Sequence, residues 1–176
     1  MVPVSALSKL VLQPADLPSG FFPFDVGKQV TVDAPPGQRA SPTRFGREGG
    51  WKARYRRSQP AGRGPFIVES RADLFAADEG AEDDLAALRT QLTGEARAGG
   101  VAVRIHPEPD LGEEAVAAST LQGSGTAALR FVTIGWRDGN VTASVLVAGT
   151  EGGLTPADAV RLARKQQGRI EKVASE

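Results

Sequence analysis

The chain holds no cysteine and a single histidine, His106, in 176 residues. The missing cysteine excludes disulfides, thiolate nucleophiles, iron–sulfur clusters and Cys-based zinc sites together. One histidine offers no paired spacing for a metal, and no nucleophile-elbow motif accompanies it for a Ser-His-Asp arrangement. No apolar run approaches the roughly 20 residues of a membrane-spanning helix. The start, Met1–Leu12, lacks the basic and apolar regions of a signal peptide. Lysine is scarce, five against 16 arginines, which reads as the stamp of a GC-rich genome rather than of Arg-specific recognition.

What is present describes a folded chain. Apolar residues make up 40% and charged residues 24%, ordinary values for a globular domain with its own core. We therefore expect 1–176 to form a single α+β domain, with 1–24 as an N-terminal lead-in segment and 33–50, rich in Pro, Gly and polar residues, as a long surface loop. The net charge is zero, but the charges are sorted. Residues 39–71 carry nine Arg/Lys against Glu48 and Glu69, and residues 73–114 carry eleven acids against Arg89, Arg97 and Arg104. A balanced total thus conceals two opposed blocks, which bears on partners more than the isoelectric point does. If the basic hairpin and the acidic helix pack together, the blocks offset each other at their border.

Hydrophobic period locates the elements. Ser5–Leu12 has the makings of one or two helical turns ended by Pro14. Phe21, Phe22 and Phe24 follow the Asp16-Leu17-Pro18-Ser19-Gly20 turn and are expected to plug one edge of the core. Trp51–Arg57 alternates, with Trp51, Ala53 and Tyr55 on one face and Lys52, Arg54 and Arg56 on the other. With Pro65–Ser70 it predicts a hairpin. Residues 73–98 predict a helix with an apolar stripe Ala81, Leu85, Leu88, Leu92 and Ala96, acidic at its start and ended by Gly99-Gly100. Val101–Ile105 and a stretch through Leu121 are short strands. Leu129–Arg137 and Val141–Ala148 flank Asp138-Gly139-Asn140, the strongest hairpin signal in the chain. Thr155-Pro156-Ala157-Asp158 opens a last helix over 155–173 with a capping box, burying Ala159, Leu162, Ala163, Gln166, Ile170 and Val173. The order predicts an antiparallel sheet of about five to seven strands with two main helices packed on it, in two or three layers.

Chemistry is sparse. Glu113 and Glu114 follow Gly112, with Asp110 and Glu108 close by, a pattern open to a calcium site or an acid–base pair but more simply an acidic turn with one Glu pairing an Arg across the sheet. The glycine-rich pieces match no dinucleotide or phosphate-loop pattern. The basic, aromatic strand 51–57 makes the best case for nucleic acid, yet alternation separates its aromatics from its cations, and the pI of about 6.6 argues against it.

The stretches Leu12-Gln13-Pro14-Ala15-Asp16-Leu17-Pro18-Ser19-Gly20-Phe21, Asp110-Leu111-Gly112-Glu113-Glu114-Ala115 and Trp136-Arg137-Asp138-Gly139-Asn140-Val141, with the terminal Ala-Val-x-Leu-Ala-Arg-x-Gln helix, resemble small bacterial cell-envelope proteins, often lipoproteins. Such domains are similar to the PsbP-like α+β sandwich. The resemblance implies an extracytoplasmic, non-catalytic domain and carries over no site residues.

The expected function is therefore a non-enzymatic binding or interaction domain of the bacterial cell envelope, using no cofactor and contacting an unknown protein or small-molecule ligand. The contact is expected in the groove between sheet and helices, or on the basic hairpin and its loop through Lys52, Arg54, Arg56, Arg44 and Arg47. The alternatives are a carboxylate enzyme using Glu113 or Glu114 as general base, and a nucleic-acid binder through strand 51–57.

Overall fold

A computed structural model describes residues 1–29, 45–57, 62–98 and 102–176, with no description of the side chains of 95–98, 102 and 126. Seven strands form one antiparallel sheet: β1 (Phe21–Lys28), β2 (Arg47–Arg57), β3 (Ile67–Phe75), β4 (Ala102–His106), β5 (Glu114–Gln122), β6 (Leu129–Asp138) and β7 (Val141–Thr150). Their order across the sheet is β1-β2-β3-β7-β6-β5-β4. Two helices, α1 (Asp78–Ala98) and α2 (Pro156–Ala174), and a 3₁₀ turn at Val4–Lys9 complete the frame.

The layers follow from side-chain parity. Tyr55, Val68, Val147 and Val132 are paired in register across β2, β3, β7 and β6, and all are buried on one face. That face is covered by α2 and by Leu7, Leu10, Val11 and Leu12 of the N-terminal segment. On the other face Leu85, Leu88 and Leu92 of α1 pack on Val116 and Ala118 of β5. The sheet is thus the middle of three layers. Of the expected stripes, Ala81, Leu85, Leu88 and Leu92 of α1 and Ala159, Leu162, Ala163, Gln166 and Ile170 of α2 are buried and Val173 is half-buried, while the side chain of Ala96 lies outside the description.

Buried polar side chains tie the layers together. Trp136, fully buried, donates through Nε1 to Oε1 of Gln167 on α2 (2.6 Å), whose Nε2 donates to Asp138. Ser70 donates to Gln166 Oε1 (2.7 Å) and accepts from the Leu12 amide (2.9 Å). Tyr55 donates to the Leu12 carbonyl (2.8 Å). Burial raises the Tyr55 hydroxyl pKa, so it keeps this proton well into alkaline solution. These bonds satisfy groups that would otherwise cost about 1–3 kcal/mol each when buried alone. At the other end, Thr155 donates its amide (2.9 Å) and hydroxyl (2.8 Å) to Asp158, fixing the start of α2.

Four expectations change. The acidic helix starts at Asp78, not 73, because Asp73, Leu74 and Phe75 continue β3 beside β2 and β7, and Asp73 binds Arg47. The loop placed at 33–50 ends before Arg47, where β2 begins; its residues 33–44, including Arg44, lie outside the described residues, as do Gly99-Gly100 and Val101. The segment after Gly20 is a strand, β1, which the sequence hid behind Pro23 and a bulge at Phe24 that breaks the two-residue period. Only Phe21 of its three aromatics packs on the core, while Phe22 and Phe24 are 55% and 46% exposed. The 139–140 turn is tight as expected, with Gly139 alone at positive φ (+53°), as a type II′ turn requires at its first central position.

Candidate functional site

The cationic row forms as expected on one face of β2, but it is already occupied. Lys52 donates to Asp25 Oδ2 of β1 (2.6 Å), and Arg54 bonds both Asp25 and Glu69. Glu69 also pairs with Arg71. The Lys52 hydrogen bond is the main reason the Asp25 pKa lies below the usual carboxylate range. Arg47 is not at the surface: it binds Asp73 (2.5 Å) and the Gln29 carbonyl (3.0 Å), and the two charged side chains are 6% and 7% exposed. Gly50 makes that pair possible, since a Cβ there would strike both Arg47 and Asp73. Arg56 alone of the row stays exposed, 5.6 Å above the Phe24 ring. The two charge blocks meet at Arg47–Asp73; elsewhere the basic strand is neutralised by Asp25 and by Glu69 from within its own block.

Glu113 and Glu114 do not form an acid–base pair. Glu113 binds Arg137 and accepts from the Gly139 amide, while Glu114 binds Arg89 and, at 3.5 Å, Arg137; Glu108 adds a bond to Arg89 (2.9 Å). Arg89 holds the Glu114 carboxyl below its ordinary range, the opposite of what a general base near neutral pH needs. Gly112 turns the chain into β5 at φ +55°, against the Arg137 carbonyl, where any Cβ would collide. The cluster reads as a cross-strand clamp.

His106 and Ser119 meet across β4 and β5, Nε2 to Oγ at 2.7 Å. Among the described residues no third group orients the ring, and Ser119 is buried. Burial, with help from Arg104 and Arg130, lowers the His106 pKa below 6.5. A depressed folded pKa makes the proton prefer the unfolded chain, so stability is full above pH 6.5 and falls as pH drops toward the folded value. We expect the unfolding free energy to decline between pH 6.5 and the onset of carboxylate titration near 4.5. His106→Gln should abolish that slope, and an unchanged slope in urea titrations of the variant would contradict the assignment.

A groove of about 530 Å³ lies on the α2 face of the sheet, at the end where β1 and β2 meet the last turns of α2. The sheet supplies Trp51 and Val26, the N-terminal segment Ser8, Lys9 and Gln13, and α2 supplies Arg169, Lys172, Val173 and Glu176. Its position follows from the fold. The helix must bury Ile170 and half-bury Val173 on the core, which turns Arg169 and Lys172 toward the rim. Trp51 lies on the inward row of β2 at the margin of the core, and its ring is half-buried. Asp16 holds Arg169 in place (2.5 Å) and caps the Gln13 amide (2.7 Å). Lys9 meets Glu176 at 3.7 Å between side chains 63% and 54% exposed, a loose contact. Lys172 has no ion pair among the described residues. The alternation of 51–57 foretold Trp51 on the core side; nothing in the sequence placed Lys9 and Lys172, far apart in the chain, at one rim.

Fold and groove together define an α+β domain with a three-layer frame and a small-molecule-sized cleft. The chain matches no protein-family model and no curated protein. Among solved structures it is similar to the extracellular domain of PknH from Mycobacterium tuberculosis, at 14% identity and a TM-score of 0.71, over 99% of this chain and 98% of that one. At this identity the likeness concerns the fold. No helix among the described residues is long and apolar enough to cross a membrane.

Proposed function

We propose that this chain is a non-enzymatic, extracytoplasmic ligand-binding domain of the bacterial envelope, and that the groove beside Trp51 is where it binds. The observation that carries the reading is the groove itself: about 530 Å³, within the 300–1,000 Å³ typical of small-molecule sites, with apolar walls and convergent polar groups. The extracellular neighbour supports the compartment; the PsbP-like and lipoprotein features remain part of the proposal, as does the single-domain organisation. A second reading puts a protein partner on the outward row of β2 with Arg44, and the exposed Arg56–Phe24 stack with Phe22 beside it favours that surface.

The two separate by substitution. In a thermal-shift screen of small organic ligands, hits should disappear in Val173→Asp and persist in Arg56→Glu. Hits that disappear in Arg56→Glu and persist in Val173→Asp would move the site to the outer face.

A further inference from the structure

We infer that the groove selects an amphipathic anion: a molecule with one oxyanionic head, carboxylate or phosphate, on an apolar body. This rests on the groove reading and adds the ligand's chemistry to it.

The head is assigned by the rim. Arg169 is pinned through Nε by Asp16, which leaves the two terminal nitrogens of its guanidinium to present a planar fork of donors. Lys172, one turn further along α2, and Lys9, across the groove, add ammonium groups. Gln13 spends its own amide donors on the Ser8 and Val11 carbonyls, so it stiffens the wall rather than offering protons to a ligand. The opposing charges are weakly placed. Among the described residues Glu176 reaches Lys9, in a loose, exposed pair that is weak, and it can swing aside. The C-terminal end of a helix disfavours anions by roughly half a charge. Here that field is blunted, because Ser175 donates to the Lys172 and Glu171 carbonyls and Glu176 to the Val173 carbonyl. Full cationic charges at Lys172 and Arg169 outweigh it.

The body is assigned by the walls. Trp51 presents its half-buried indole, and Val26 (51% exposed) and Val173 extend the apolar surface beside it. Covering this surface with an apolar body removes it from water, which favours binding. Neither half suffices alone: an inorganic anion leaves the indole and valines uncovered, and a neutral alkane leaves the cations without a partner.

The test uses dodecyl phosphate, laurate, dodecyltrimethylammonium and dodecyl maltoside as monomers, with inorganic phosphate, read by tryptophan emission. Trp136 is fully buried, so the response belongs to Trp51 and should vanish in Trp51→Phe. Both anionic probes should bind at least tenfold more tightly than the cation of equal chain length, and inorganic phosphate should not bind measurably. Lys172→Glu, an exposed position away from the core, should weaken dodecyl phosphate about tenfold, and Glu176→Gln should tighten it. Equal affinity for all head groups would overturn the anion assignment while leaving the groove reading intact. No Trp51 response to any probe would overturn both. Binding to phosphatidylglycerol vesicles without binding to monomeric probes would replace the pocket ligand with a membrane surface.

Discussion

Arg47→Met should destabilise the protein by about 3–5 kcal/mol, as judged by the urea midpoint at neutral pH, because it strands Asp73 as an unpaired buried charge. That is a large share of the roughly 5–15 kcal/mol by which domains are stable. A residue serving only a partner would leave the midpoint within about 0.5 kcal/mol of the parent. Arg47→Met combined with Asp73→Leu should recover most of the loss, since the charge is removed with its partner. A single variant as stable as the parent would show that the pair is hydrated in solution and return Arg47 to the surface residues. Gly50→Ala should approach the single variant's loss, because its methyl takes the space where the two side chains meet.

Trp136→Ala should cost a similar amount, about 3–5 kcal/mol, by opening a cavity in the middle of the α2 face. The ring is the largest fully buried side chain, and its Nε1 holds Gln167. Losing it removes both packing and the bond that registers α2 against β6. We expect Trp136→Phe to cost less, about 1–3 kcal/mol, chiefly for the unpaired Gln167 carbonyl. Equal losses in the two variants would show that the hydrogen bond, not the volume, dominates.

These two residues also mark how far the sequence was readable. Trp136 sits in a strand whose turn and hairpin partner were legible, but the face it takes was not assigned from the sequence; the structure buries it. The antiparallel sheet, its two helices and their buried stripes were legible because each apolar period repeats over enough residues to outweigh local noise. Arg47 was not. It stands in a Pro/Gly-rich run that reads as surface, and only the pairing of Gly49 and Gly50 with Leu74 and Asp73 buries it. Strand β1 was missed because an edge strand with a proline and a bulge has no period to detect. Lys52 and Arg54 were placed on the correct face, but the neutralisation of Lys52, and part of that of Arg54, comes from Asp25, which arrives from that unseen strand. The groove was foreseen only as a cleft between sheet and helices. Its lining joins residues 8–13, 26, 51 and 169–176, a convergence that no local pattern encodes.

The measurement that tests the account most directly is an amide chemical-shift map of the labelled protein titrated with dodecyl phosphate. The account predicts saturable shifts at Lys9, Val26, Trp51, Arg169, Lys172 and Val173, with Lys52, Arg54 and Arg56 unmoved. Shifts confined to those three outward cations, or to His106 and Ser119, would contradict it.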